Sequence, residues 1–156
     1  MHLEINDNKP VSALQLKFSR SFPYLKLEFY TKAHRWQGTS DDKHLVPPHT
    51  LIGAIRNKKA SGIFDIKSYD KTGQVERELK RTYGLHAQVF RLQDEGWVQT
   101  TATDDLTLQQ QMDLAKGMHK RMSPAIEAGE EEDDEEGSWY RQPYINIAYQ
   151  NSEGIF

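Results

Sequence analysis

The chain has 156 residues, 37% of them hydrophobic, a size that suits one globular core. It has no cysteine, and its longest apolar run is only Ile147-Ala148-Tyr149, so disulfide scaffolds, thiolate metal sites, cysteine nucleophiles, bilayer spans of roughly 20 residues and signal-peptide cores of about 7–15 are excluded. Nine of the 23 acids but only one of the 20 bases lie beyond residue 126, so the net charge of −3 divides into +5 for residues 1–126 (19 bases, 14 acids) and −8 for residues 127–156.

Leu3 and Ile5 alternate with Glu4, the pattern of a short strand with one buried face, and Asn6-Asp7-Asn8-Lys9-Pro10 supplies turn residues after it. Val11, Leu14, Phe18 and Phe22 fall on one helical face, with Ser12 and Gln15 at the spacing of a capping box and Pro23 as the stop. Leu25, Leu27 and Phe29 then alternate with Lys26, Glu28 and Tyr30 as a strand. Residues 31–62 read as a polar linker, mostly loop, that holds Pro47-Pro48 and the apolar group Leu51, Ile52 and Ile55; a length of this kind implies either a short helix capped by Thr50 or a functional or mobile loop.

From Ile63 the pattern begins again. Setting residue n against n+61 pairs Ile5 with Ile66, Leu14 with Val75, Phe18 with Leu79, Arg20 with Arg81 and Phe22 with Tyr83. With one residue deleted at the turn, Leu25, Leu27 and Phe29 pair with Leu85, Ala87 and Val89. Both halves thus read strand, helix, aromatic, turn, strand, the second helix capped by Thr72 and stopped by Gly84. Asp94-Glu95-Gly96 predicts a hairpin joining strands at 85–92 and 97–102, and Thr107 with Gln110 caps a last helix whose apolar face is Leu108, Met112, Ala115, Met118 and Met122. The body, residues 1–126, is therefore expected to be one α+β domain. Its two tandem strand-helix-strand units suggest a ferredoxin-like arrangement or a β-grasp-like one, with the hairpin strand and final helix as additions. Residues 127–138 form an acidic linker too charged to pack, and 139–156 an aromatic tail with a possible extra strand at 144–149.

Several stretches form a joint pattern: Phe22-Pro23-Tyr24-Leu25-Lys26-Leu27-Glu28-Phe29 with His34 after it, Tyr83-Gly84-Leu85 leading to Gln88-Val89-Phe90-Arg91, then Trp97, Thr100-Thr101, Thr103-Asp104 and Thr107-Leu108 with Gln110 or Gln111. Across about residues 3 to 118 the chain resembles an uncharacterised family of small bacterial α+β proteins. The resemblance implies the fold class and no activity. The chain departs from that pattern in having Leu106 where a bulkier aromatic is expected, and in its acidic run and aromatic tail.

The chemistry-bearing residues are few. His34, His44 and His49, with Asp41 among them, are the nearest approach to a metal-ligand set, though their spacing is irregular and one polar loop lacks the rigidity that fixes coordination. Asp104 and Asp105 are a carboxylate pair, better explained as helix-start acids. His86 reads as a surface residue of its strand, and no serine stands in a Gly-x-Ser-x-Gly setting. No two glycines are closer than eight residues, so phosphate-cradling loops are not matched. Positive charge concentrates at Arg56-Asn57-Lys58-Lys59, at Arg77, Lys80 and Arg81, and at Lys116, His119, Lys120 and Arg121.

The sequence therefore predicts a cytoplasmic, non-catalytic protein–protein interaction module without cofactor or membrane association. Its binding residues are expected among Trp36, Phe90, Trp97, Trp139, Tyr144, Ile145, Ile147 and Tyr149, with a protein partner or self-association through the 144–149 segment. One alternative is a nucleic-acid or polyanion binder whose acidic tail is autoinhibitory. The other is a metal-assisted enzyme using the linker histidines.

Overall fold

A computed structural model describes residues 1–32, 42–58, 60–94 and 96–122, with side chains placed through residue 117. Its elements are β1 (His2–Ile5), α1 (Val11–Ser21), β2 (Leu25–Tyr30), β3 (Gly62–Asp65), α2 (Thr72–Tyr83), β4 (His86–Gln93), β5 (Gly96–Gln99) and α3 (Leu108–Met122), with short 3-10 turns at Asp42–His44, Ile52–Ala54 and Thr101–Thr103. The fold is α+β. The strands form two antiparallel sheets, β1-β3 and β2-β4-β5; a ferredoxin-like sheet shares the β1-β3 pair but sets β4 beside β1 and β2 beside β3 at opposite edges, whereas here β2 and β4 pair with each other. Among the described residues no helix is long and apolar enough to cross a membrane.

The register of the two ladders explains this pairing. In β1-β3, Leu3 lies opposite Phe64, its own equivalent in the repeat, and the flanking pairs His2↔Asp65 and Glu4↔Ile63 are equivalents of each other. In β2-β4, Glu28 lies opposite its equivalent Gln88, and Lys26↔Phe90 matches Tyr30↔His86 in the same way. A pseudo-two-fold axis thus passes through both ladders, and each strand of one unit pairs with the same strand of the other.

The repeat extends further than the alternation of strand residues shows. The backbone N–H groups of Val11 and Ser12 donate to the carbonyls of Thr50 and Pro48, and those of Thr72 and Gly73 to Leu106 and Asp104, all at 2.9 Å. Isolated bridges Pro10↔Leu51 and Lys71↔Thr107 lie beside them. Residues 45–55 are therefore the counterpart of 99–111, and the stretch expected to be mostly loop carries Val46 and Ile52 into the core. The hairpin strand and final helix are likewise members of the second unit rather than additions to it. Ile52 and its equivalent Leu108 are both fully buried, but after them the first unit makes one 3-10 turn while the second continues as α3.

These docked segments also account for the helix starts. Neither Ser12 nor Thr72 is the cap. The helices begin after Pro10 and Lys71 without a side-chain cap, because carbonyls of the passing segment satisfy the first free N–H groups. Thr72 instead donates its hydroxyl to the Leu106 carbonyl at 2.9 Å, and Gln15 turns to β2. The box at α3 does form, Thr107 and Gln110 each bonding the other's backbone N–H at 2.9 and 3.1 Å. At the other end of α2, Gly84 takes the left-handed conformation (φ 68°), while Leu85 N–H reaches back to the Leu79 carbonyl. Its counterpart Tyr24 holds the same conformation at φ 69°.

A single apolar cluster joins the two units, with Leu3, Ile5, Phe18, Leu25, Leu27, Phe29 and Ile52 from the first and Ile66, Leu79, Leu85, Val89 and Leu108 from the second. β5 stops at Gln99, short of the expected 102. There Thr100 turns in to bond the Val89 carbonyl through both its N–H and its hydroxyl, and Thr101–Thr103 coil into a 3-10 turn.

Candidate functional site

Three polar arrangements stand out on this frame, and the first lies on the pseudo-two-fold axis. In the first unit Gln15 of α1 donates to Glu28 of β2 at 2.9 Å and to the Leu27 carbonyl at 3.0 Å. In the second unit the acid and amide are exchanged: Glu76 of α2 stands where Gln15 does, and Gln88 of β4 where Glu28 does. One oxygen of Glu76 accepts both the Gln88 amide at 2.9 Å and the Val89 backbone N–H at 2.8 Å. Burial pushes the Glu76 carboxyl up to about 8, and the nearby Asp104 carboxylate adds to the rise, while the Val89 N–H and Arg77 oppose it. The pair is sealed, with Gln88 fully buried and Glu76 nearly so. It ties α2 to β4 rather than opening to a ligand.

The second arrangement brings two of the sequence-predicted binding residues together. The Lys26 ammonium sits 5.2 Å from the ring centre of Phe90 and 4.9 Å from that of Trp97, and 3.1 Å from Glu28. Both rings are half-buried, and Trp97 packs with Leu92 against Tyr24 and Ala115. A ring face already holding a cation and a ring edge packed on a buried cluster offer little for stacking a base.

The third is an open groove of about 830 Å³ along α2. One side is the helix, with Gln74, Arg77, Glu78, Lys80 and Arg81; the other is built from Thr31 at the end of β2, Ile55, Asn57 and Lys58, with Gly84 and His86 at the end. Two basic stretches separated in sequence meet here, because residues 45–55 dock on the start of α1 and Arg56 then donates to the Tyr83 carbonyl, which sets Lys58 beside Gly84 at the C-terminal end of α2. The Lys58 ammonium donates to the Arg81 carbonyl, answering a free C-terminal carbonyl of the helix. Four permanent cations and one histidine face the groove, against one acid. That acid, Glu78, accepts the Thr82 hydroxyl at 2.5 Å and Arg81 at 2.8 Å, and these bonds, the hydroxyl first, hold its carboxyl below the usual range.

The remaining expected site residues disperse. Arg56 leaves the basic set: its guanidinium is buried, 2.7 Å from Asp7, and donates to the carbonyls of Ala60 and Tyr83. His44 lies in the first 3-10 turn, 3.5 Å from the Thr31 hydroxyl, while His49 is exposed in the turn beside the start of α1. His34, Asp41 and Trp36 lie outside the described residues, as do Trp139, Tyr144, Ile145, Ile147 and Tyr149. Among the described residues no group of three or more His, Asp or Glu is placed to hold a metal ion. Asp104 is not a start residue of α3 but packs on Gly73 at the start of α2, and Asp105 is fully exposed, 3.9 Å from Lys71. Of the third basic stretch Lys116 is half-buried, and the side chains of His119, Lys120 and Arg121 lie outside the described set.

The residues that carry the family-like pattern are mostly spent on structure. Arg91 is buried and donates to Gln111 at 2.5 Å and to Gln93 at 3.1 Å, and Gln111 in turn donates to the Thr103 carbonyl at 2.9 Å. Through these bonds β4, the 3-10 turn and α3 are fastened to one another. No family model, no curated protein and no solved structure matches the chain.

Proposed function

We propose that this protein is a non-catalytic interaction module that recognises an anionic partner chain along the groove of α2. The observation that carries the reading is the meeting of Lys58, Arg77, Lys80 and Arg81 on one open groove with Glu78 as its acid, the latter already bonded to Arg81 and Thr82. Lys80 and Arg81 stand three and four residues after Arg77 on one helix, so each is its neighbour about 5–6 Å away at the Cβ level, and Arg77 with either makes a short row. Such a row tracks a run of carboxylates or phosphates, and Asn57, Gln74 and Thr31 add hydrogen-bonding groups beside it.

Binding of this kind weakens steeply with salt because each neutralised charge releases or exchanges a counterion. The test is fluorescence anisotropy of the full chain with labelled heparin and labelled single-stranded RNA at 50 and 300 mM NaCl. Binding is expected at the lower salt and lost at the higher, and Arg77→Ala with Lys80→Ala weakens it about ten-fold or more, some 1.4 kcal/mol. Phe90→Ala leaves affinity unchanged on this reading. Absence of binding to both probes at 50 mM salt by a chain with Glu→Gln and Asp→Asn throughout residues 130–136, or a loss produced by Phe90→Ala and not by the α2 variant, refutes it.

A further inference from the structure

The groove has a charge complement within its own chain. Residues Glu130 to Glu136 are seven acids in succession, and they follow α3, which ends at Met122. We propose that this run seats in the groove lined by Lys58, Arg77, Lys80 and Arg81, so that the chain covers its own anion-binding surface and an external anionic partner has to displace it. The inference rests on the groove being the binding surface, and adds the occupant and the competition.

Reach is sufficient. At no more than about 3.3–3.6 Å per residue, the eight steps from Met122 to Glu130 span up to ~28 Å and the run itself ends at up to ~50 Å. A folded body of about 120 residues has a radius of gyration near 14 Å and is roughly 35 Å across. Spacing agrees as well. A chain seated in extended form presents alternate side chains on one side about 6.6–6.8 Å apart, close to the separation of helix residues three and four apart.

Competition for the run from elsewhere on the body is reduced by pairing. Lys9 is held by Glu4 at 2.7 Å, Lys67 by Asp65 at 2.5 Å, Lys26 by Glu28 at 3.1 Å and Arg56 by Asp7 at 2.7 Å. Arg77 and Lys80 have no ion-pair partner among the described residues; Lys17, Arg20 and Lys32 share that state but do not line the groove. Tethering raises the local concentration of the run to roughly the millimolar range, so a segment that binds as a free peptide with a Kd of about 0.1 mM is about nine-tenths seated in the intact chain and masks the groove about ten-fold.

Two measurements on the full-length chain test the proposal. In zero-length carbodiimide cross-linking with mass spectrometry, Lys58 or Lys80 is expected to join residues 130–136 within the monomer at low salt, and the link to disappear at 500 mM NaCl. In heparin binding at 50 mM NaCl, a chain with Glu→Gln and Asp→Asn throughout residues 130–136 is expected to bind at least ten-fold tighter than the unaltered chain. That gain vanishes when Arg77→Glu and Lys80→Glu are added. Links spread equally over lysines elsewhere, together with unchanged heparin affinity, overturn the seat while leaving the groove as a binding surface. Links found only in dimers overturn it in favour of exchange between copies. Failure of the neutralised chain to bind heparin overturns the groove reading as well.

Discussion

Replacing Glu76 by Gln isolates the energetic effect of one buried carboxyl. The side chain accepts two hydrogen bonds at one oxygen, from Val89 N–H at 2.8 Å and Gln88 at 2.9 Å, and burial raises its pKa from 4.5 to about 8. Between those values the folded protein keeps a proton that the unfolded chain has released. Its contribution to stability is therefore fully present below pH 4.5 and is lost as pH rises towards 8. Each pH unit in that window is worth up to about 1.4 kcal/mol, so the window sets a ceiling of roughly 4–5 kcal/mol. Glutamine keeps the acceptor oxygen and the shape but does not titrate, and Gln15 already fills the equivalent place in the other unit. Glu76→Gln is thus expected to match the parent near pH 4.5 and to exceed it by several kcal/mol at pH 9. The measurement is urea unfolding followed by circular dichroism at half-unit steps from pH 4.5 to 9, for both proteins. If the two curves of unfolding free energy against pH run parallel, the carboxyl is not protonated in the fold and the reasoning fails.

Other outcomes follow from the packing. Ile52→Ala is expected to cost about 2–5 kcal/mol, as Leu108→Ala does, since both side chains are fully buried at equivalent positions; a cost under about 1 kcal/mol in chemical denaturation would show residues 45–55 to be peripheral. Asp7→Asn removes the charge beside the buried Arg56 guanidinium and is expected to cost about 2–4 kcal/mol, discounted from the fully buried case because Asp7 is 34% exposed. Equal stability of Asp7→Asn and the parent in the same assay refutes the pairing. Gly84→Ala places a Cβ 3.2 Å from that of Lys58 at a left-handed φ of 68°, and a loss of roughly 1–2 kcal/mol is expected in thermal or urea unfolding; no loss refutes the strain.

Much of the frame was legible because local signals and burial agree. The alternation at Leu25, Leu27 and Phe29, the stripe Val11, Leu14, Phe18 and Phe22, the stop at Gly84 and the box at Thr107 and Gln110 all act through neighbours in sequence. The extent of the repeat was not legible past β2, because the connection from Tyr30 to Val46 differs in length from the hairpin between Phe90 and Thr100, which shifts the offset between halves. Pro48 and Asp104 also serve the same role through backbone carbonyls, which any residue carries. The groove shows the same division. Arg77, Lys80 and Arg81 are visible as one edge of a helix, whereas Thr31, Ile55, Lys58 and His86 come to it only through long-range docking. Arg56 was misread for a related reason: its neighbours in sequence are solvated, and the partner that buries it, Asp7, is in another turn.

The exchange of acid and amide across the pseudo-two-fold axis has a consequence for how this architecture can be assembled. Two copies of the first unit would set Glu28 opposite Glu28, and like charges directly opposed across a ladder are destabilising. Two copies of the second would set Gln88 opposite Gln88 with a buried carboxyl on each side, doubling the dependence on pH. Only unlike halves place one carboxylate against one amide at that crossing, and a single polypeptide guarantees that unlike halves meet. Covalent linkage here fixes composition as well as proximity: it supplies the two related units in equal number and at high local concentration.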